Sequence, residues 1–496
     1  MSLKNFLKKN YNFYSEKKKS RGNLLFIDRE RVDNLFQLSI LSLVISDKYK
    51  LNTIILTDQK DNSLVVKMYK KLGFKNFLSG FSKMTFFSNP IIFFFTSIHF
   101  VSSTIKLKFF GFDWFINKFN VNGIFFGDLI YDSHIRYHHR FVKPKIDLFF
   151  LKLHFISIFR FFLIKNYLKK LNIKKILIGT ENGSNNNGLA LRISSKMNIT
   201  NYSYYRMSKN GVSIKSISKD YYLKGIDYIT KTNFTEFSKK ISFNKIEKFY
   251  SDRKKFKTIN WYTMNDYKRA NKISLANNNF LNLLKKQKKK KILFACHAFS
   301  DAPHASGKFL FTDYFQHFEE TLKYAYNTNN DFIWIFKPHP SSKLFNEKKI
   351  FYNLIQKYKK ENIYYCPDNL ATEKVINICE TVITGRGTIG IESLCLGKKV
   401  ITAGSSPYSG LGITNEPKTK KNYFSLLKNI NKPLNLKKIN STKYKAKLLL
   451  YILENGLHVK KIKIKSLSKD SKYKNYLSKI YKRNFNRNSI FNSFKD

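Results

Sequence analysis

The sequence predicts an α/β protein of two domains, each a parallel sheet wound with crossover helices, followed by a helical C-terminal tail. Three observations predict it. Short apolar runs alternate with helically spaced stretches in both halves of the 496-residue chain, and a dense lysine run at 285–291 separates the halves. Directly after that run the alternation starts again. At about 100–200 residues per domain the length accommodates such an arrangement, and a hydrophobic share of 43% supplies a core for each part.

Taken in order, residues 1–21 form a basic leader. Residues 22–245 read as an N-terminal domain: an apolar run at 23–28, helical spacing over 32–46, a second run at 52–57, a helix over 146–171, a strand at 175–180, a loop, a helix at 189–197 and a strand at 201–205. Over 246–290 the pattern weakens to a linker. Residues 291–435 read as a second α/β domain with strands at 291–296, 332–336, 363–365, 382–384 and 400–402, and 436–496 as a helical basic tail. No repeat of solenoid period is visible.

Lys and Arg number 91 against 33 Asp and Glu, a net charge of +58, which points to an anionic partner. The 47 Phe and 30 Tyr, with abundant Lys, Asn and Ile, are also what AT-rich coding writes, so part of this charge is solvated surface. Cys296, Cys366, Cys379 and Cys395 stand singly, a pattern that excludes a disulfide framework and predicts a reduced, cytoplasmic chain. The leader has no apolar core of secretory type. The windows 91–104 and 146–164 are interrupted by His99 and by Lys152, His154 and Arg160, so neither is expected to span a bilayer, which takes about 20 apolar residues. The Phe-rich stretch 149–162 reads as a core helix, with an interfacial helix as the alternative.

The strongest chemical signal is the run 382–402. It reads as a strand, a glycine turn, a helix over 388–396, a Gly397 cap and a further strand, which presents free amides at the carboxyl edge of a sheet. That is an anion site. Gly385 and Gly387 permit close backbone approach, Thr388 adds a hydroxyl, Glu392 is placed for ribose hydroxyls, and Ser393 follows it. The second signal is 336–342, Phe-Lys-Pro-His-Pro-Ser-Ser. Prolines on both sides hold His339 at a strand end, and Lys337, Pro340, Ser341 and Ser342 surround it, a set suited to a phosphate leaving group. The third is 295–304, where His297 and His304 are too far apart to define a metal site, and Asp301 is an orienting carboxylate or a cap. No metal and no cofactor is expected. In the first half Asp128, Asp132 and Glu181 are the candidates for a general base, since transfer to a hydroxyl needs a carboxylate near the acceptor.

Together, residues 337–340, 385–392 and 404–414 resemble the capsule or surface polysaccharide biosynthesis proteins, glycosyltransferases of GT-B fold. The resemblance is specific over about 290–416 and looser at 127–136. It implies two Rossmann-like domains facing a cleft, the C-terminal one holding a nucleotide-sugar substrate and the N-terminal one a glycan or lipid-linked acceptor. In the capsular Kdo transferases a His-Pro motif contacts the CMP part of the donor, which falls on His339 and Pro340 here. Those relatives have Gln-x-Ser ahead of their glutamate where this chain has Arg386-Gly-Thr388, so the donor stays open. The implied reaction is inverting, metal-independent transfer by a cytoplasmic enzyme, peripheral on an anionic inner-membrane surface. The rival readings are a CDP-polyol phosphotransferase of the same architecture and a nucleic-acid-binding protein; the latter lacks zinc-finger spacing, an RNP-like motif and a basic repeat.

Overall fold

The computed structural model describes residues 20–27, 38–39, 41–42, 45–46, 49–57, 63–71, 74–79, 89–136, 139–178, 185–208, 211–217, 219, 221, 225, 228–254, 275–305, 307–328, 331–343, 345–431, 436–457 and 460–462. The chain divides into two compact units: 1–131 with 146–219 and 459–496, and 132–145 with 220–458.

The first unit is built on a sheet in which β1 (Asn23–Ile27) is central. It pairs in parallel with β2 (Asn52–Thr57) on one side and β6 (Ile173–Ile178) on the other. β3 (Asn76–Ser79) extends the sheet beyond β2, and β7 (Thr200–Ser208) beyond β6, both parallel. β8 (Gly211–Ser216) and β14 (Lys460–Ile462) add an antiparallel edge, and β4 (Asn120–Val121) and β5 (Ile124–Phe125) pair as a separate antiparallel ribbon. Leu24, Leu25, Phe26, Ile176, Leu177 and Ile178 are fully buried, so these strands read as unbroken apolar runs, as strands covered on both faces do.

The helix Leu148–Lys170 starts at Asp147, whose carboxylate accepts from Phe150 N at 2.8 Å, and buries Phe150, His154, Ile158, Phe159 and Phe161. This is the core helix of the two readings given for 149–162. His154 lies among the rings of Phe100, Phe115, Phe119 and Phe150, with Nε2 3.0 Å from Ser103 Oγ. Burial pushes its pKa down to about 3. The helix Pro90–Lys118 extends well beyond the apolar window 91–104. It runs for 29 residues and is long and apolar enough to cross a membrane by length and composition, because the helix continues past Lys106 and Lys108.

The second unit has a five-stranded, wholly parallel sheet in the order β11 (Ile363–Tyr365), β10 (Phe332–Lys337), β9 (Lys290–Ala295), β12 (Thr381–Thr384), β13 (Lys399–Thr402). From β9 the chain winds outward through β10 to β11, then returns to lay β12 on the other side. That reversal is the switch point at which open α/β sheets bind ligands, at the carboxyl ends of the two central strands. Residues 243–254 and 275–286 are helices that give Ile246, Leu281 and Leu284 to this unit's core. Of the tail, Leu436–Glu454 is a helix whose Ala446, Leu448, Leu449 and Ile452 join the same core, whereas Lys460–Ile462 is a strand of the first unit's sheet. Cys296, Cys366, Cys379 and Cys395 are free thiols, all buried.

Candidate functional site

Three neighbouring strand ends assemble the site. Beyond β9 the chain is held by the Cys296 amide, which donates to Lys337 O at 3.0 Å. It then turns through His297. Glu347, fully buried, fixes that turn by accepting from Phe299 N at 2.8 Å, Ser300 N at 2.7 Å and Ser300 Oγ at 2.5 Å. Beyond β10, Pro338 and Pro340 bracket His339. Its Nδ1 accepts from Ser341 N at 3.2 Å and lies 2.6 Å from Ser341 Oγ, which places the ring proton on Nε2. Beyond β12 come Gly385, Arg386 and Gly387.

His297 is the centre of this arrangement. Its ring stacks on Tyr314 at 4.3 Å and lies parallel to the His339 ring at 6.1 Å, and its Nε2 accepts from the Arg386 amide at 3.2 Å. Burial, followed by the charges of His339, Arg386 and His317, holds its pKa well below the usual histidine value, so the ring is neutral with its proton on Nδ1. A β-carbon on Gly385 would fall 2.9 Å from both His297 Cδ2 and Tyr314 Cε1. Gly385 is therefore needed to admit these two rings. Gly387 has room for an ordinary contact, with the nearest atom 3.4 Å away.

Arg386 is 9% exposed. Its Nη2 donates to Gly307 O and Lys308 O, both at 3.3 Å, and the guanidinium lies 5.5 Å from the Phe309 ring centroid. Nε and Nη1 are buried, with the Tyr314 hydroxyl as the neighbouring hydrogen-bonding group of the guanidinium. A desolvated cation at a switch point is a ready acceptor of an anion. Sequence reading met Arg386 only as a departure from a pattern.

A second pair lies in the same unit. Asp132, fully buried, faces His304: Oδ1 is 2.7 Å from His304 Nδ1, and Oδ2 accepts from His304 N at 3.0 Å. A carboxylate on Nδ1 orients an imidazole and fixes its tautomer. The Tyr314 hydroxyl is held above its usual range, first by burial; of the charges acting on it, Arg386 pulls the other way and Asp301 and Asp132 add to the rise. These groups thus share one electrostatic neighbourhood with the ring that stacks on His297.

Residues 205–440 match the sequence model of the family described as capsule polysaccharide biosynthesis protein. No curated protein matches the chain. Among solved structures, the chain is similar to the Methanocaldococcus jannaschii UDP-GlcNAc 2-epimerase (12% identity, 88% of this chain and 99% of that one, TM-score 0.27). It is also similar to the Thermosulfurimonas dismutans KpsC beta Kdo 2,7 transferase (16%, 61% and 88%, 0.27) and to a glycosyltransferase from Rickettsia africae (12%, 89% and 99%, 0.27). All three likenesses are remote.

Within the matched segment, the structure brings His339, Ser341, Gly385 and Gly387 together with His297 and Arg386. Thr388 is exposed at the start of a helix, Ile389–Cys395, that has only seven residues, and Pro340 is exposed beside His339. Other candidates are engaged elsewhere. Lys337 Nζ donates to Leu370 O at 2.9 Å and to Pro367 O at 3.4 Å. Ser393 Oγ donates back to Ile389 O at 2.7 Å. Glu392 Oε1 is 2.7 Å from Arg253 Nη2, and Arg253 Nε is 2.7 Å from Glu454. Burial, opposed by Arg253, raises the Glu392 pKa; burial alone would lower that of Arg253, and Glu392 and Glu454 raise it instead.

Asp301 is exposed, accepts from Ala302 N at 2.9 Å and lies 3.4 Å from Arg136. Asp128, in the first unit, is held in a two-pronged pair by Arg192 at 2.5 and 2.6 Å. Glu181 lies outside the described residues. Among the described residues no three His, Cys, Asp or Glu side chains group as metal ligands.

Proposed function

We propose that this chain is a glycosyltransferase of capsule polysaccharide synthesis, moving a sugar from a nucleotide-sugar to a hydroxyl of a glycan or lipid-linked acceptor with inversion. One observation carries the reading: in the turn whose amide bonds His297 beside His339, Arg386 is a buried cation. The family match over 205–440 supports the pathway.

In this reading the phosphate of the donor binds Arg386 and the N–H of His339. His304, oriented by Asp132, removes the proton of the acceptor hydroxyl. The acceptor oxygen forms its bond to the anomeric carbon as the bond from that carbon to the phosphate oxygen breaks, and the released charge is taken by the guanidinium. The cationic side chains supply the field that stabilises the leaving group, so the step is metal-independent. Transfer of radiolabelled sugar from CMP-, CDP-, UDP- and GDP-linked donors to a glycan acceptor, with and without chelator, tests it. We expect one donor class to be used, chelator to leave the rate unchanged, and Asp132→Asn and Arg386→Met each to lower transfer sharply. Full transfer by both variants, checked as folded, would remove the assignment.

A further inference from the structure

The helix Pro90–Lys118 carries a surface that the catalytic reading leaves unused. One stripe of it, Thr96, Ser103 and Leu107, is buried, and Ser103 Oγ ties it to His154 of the helix Leu148–Lys170. At 100° per residue, Ile91, Phe94, Ile98, Val101, Ile105 and Phe109 fall on the far side in one apolar ridge. All are exposed, Phe94 by 61% and Phe109 by 79%. Contiguous apolar surface of this kind marks an interaction site. Lys106 and Lys108, both exposed, flank the ridge on its two sides. Gly111, at φ 71°, breaks the helix just past Phe110 and is followed by Trp114, a residue type favoured at membrane interfaces.

We propose that this ridge docks the first unit onto an anionic lipid surface, lying in the plane of the interface with the phenylalanines inserted and the lysines at the headgroups. Charge selects the occupant. A ridge rimmed by lysines on a chain of net charge +58 opposes a second copy of itself and complements anionic headgroups. The same lysines oppose a spanning orientation, which would carry them into hydrocarbon, and the buried stripe is already committed to the neighbouring helix.

The test is co-sedimentation of the full chain with vesicles of phosphatidylcholine alone and of phosphatidylcholine mixed with phosphatidylglycerol. Quenching of Trp114 by brominated lipid is read in parallel. The wild type is expected to bind the anionic vesicles and to be quenched. The triple variant F94E/I98E/F109E, which alters exposed positions, should lose at least tenfold in affinity with an unchanged thermal melt. K106E/K108E should lose about fivefold per lysine on anionic vesicles only. The proposal is overturned by wild-type protein that stays in the supernatant, by ridge variants that bind like wild type, or by a ridge-dependent dimer in light scattering without lipid binding.

Discussion

The rings of His297 and His339 lie parallel, 5° apart in plane and 6.1 Å between centroids. They come from the ends of adjacent strands, β9 and β10, and the turn after β12 closes on the first of them through the Arg386 amide. Five parallel strands in switch-point order thus gather His297, His339 and the turn that carries Arg386.

Arg386→Met should separate binding from stability. The side chain is a buried cation, so removing its charge costs the fold little, and Tm is expected to stay within about 3 °C of wild type. Nucleotide affinity should fall by at least tenfold. Calorimetric melts and binding titrations of the same sample check both.

Gly385→Ala should do the opposite. Its β-carbon would overlap His297 and Tyr314 at 2.9 Å, and overpacking of this kind costs about 1–3 kcal/mol. The variant should melt lower and bind nucleotide more weakly, because His297 has to move. A melting temperature equal to that of wild type would count against the geometry.

Asp132→Asn keeps the shape of the pair but removes the charge that orients His304 at 2.7 Å. Loss of a positioned base contribution lowers kcat by about 10²–10⁴. KM for the donor should change little, since Arg386 is untouched, and steady-state kinetics in both substrates separate the two.

Glu392→Gln should leave nucleotide affinity within about twofold of wild type and lower stability instead, because its partner is Arg253. Arg253→Met, which strands Glu392 and Glu454, should cost on the order of 3 kcal/mol in urea unfolding.

Acid should destabilise both units in a defined window. Burial lowers the pKa of His154 to about 3 in the first unit and of His317 to about 3 in the second, and holds His297 well down. The unfolded chain takes up these protons below pH 6.5, while folded His154 and His317 do so only near pH 3. Stability from these groups is therefore complete above about 6.5 and falls as pH drops towards 3, by up to about 1.4 kcal/mol per pH unit for each histidine. Denaturant midpoints measured from pH 7 to 4 should show the fall, and His154→Phe should flatten it.

Local sequence carried the strands and the His-Pro loop, because apolar runs and prolines speak through neighbours in the chain. It could not carry the pairs made at a distance. Asp132 and His304 are 172 residues apart, and Glu392 and Arg253 are 139 apart, so nothing near Glu392 says that its carboxylate is already taken. Arg386 looked like a deviation from a motif, whereas its burial, visible only in three dimensions, is what makes it the anion-binding candidate of the proposed site. The ridge on Pro90–Lys118 escaped because apolar residues at helical spacing do not say which face is covered. Here the polar stripe of Thr96 and Ser103 faces inward.

The most direct test of the central claim is isothermal titration of CMP, CDP, UDP and GDP into wild type, Arg386→Met and His339→Ala. The account predicts one nucleotide bound by wild type, with affinity at least tenfold weaker in each variant. Equal affinity in all three proteins, or none for any nucleotide in folded wild type, would contradict it.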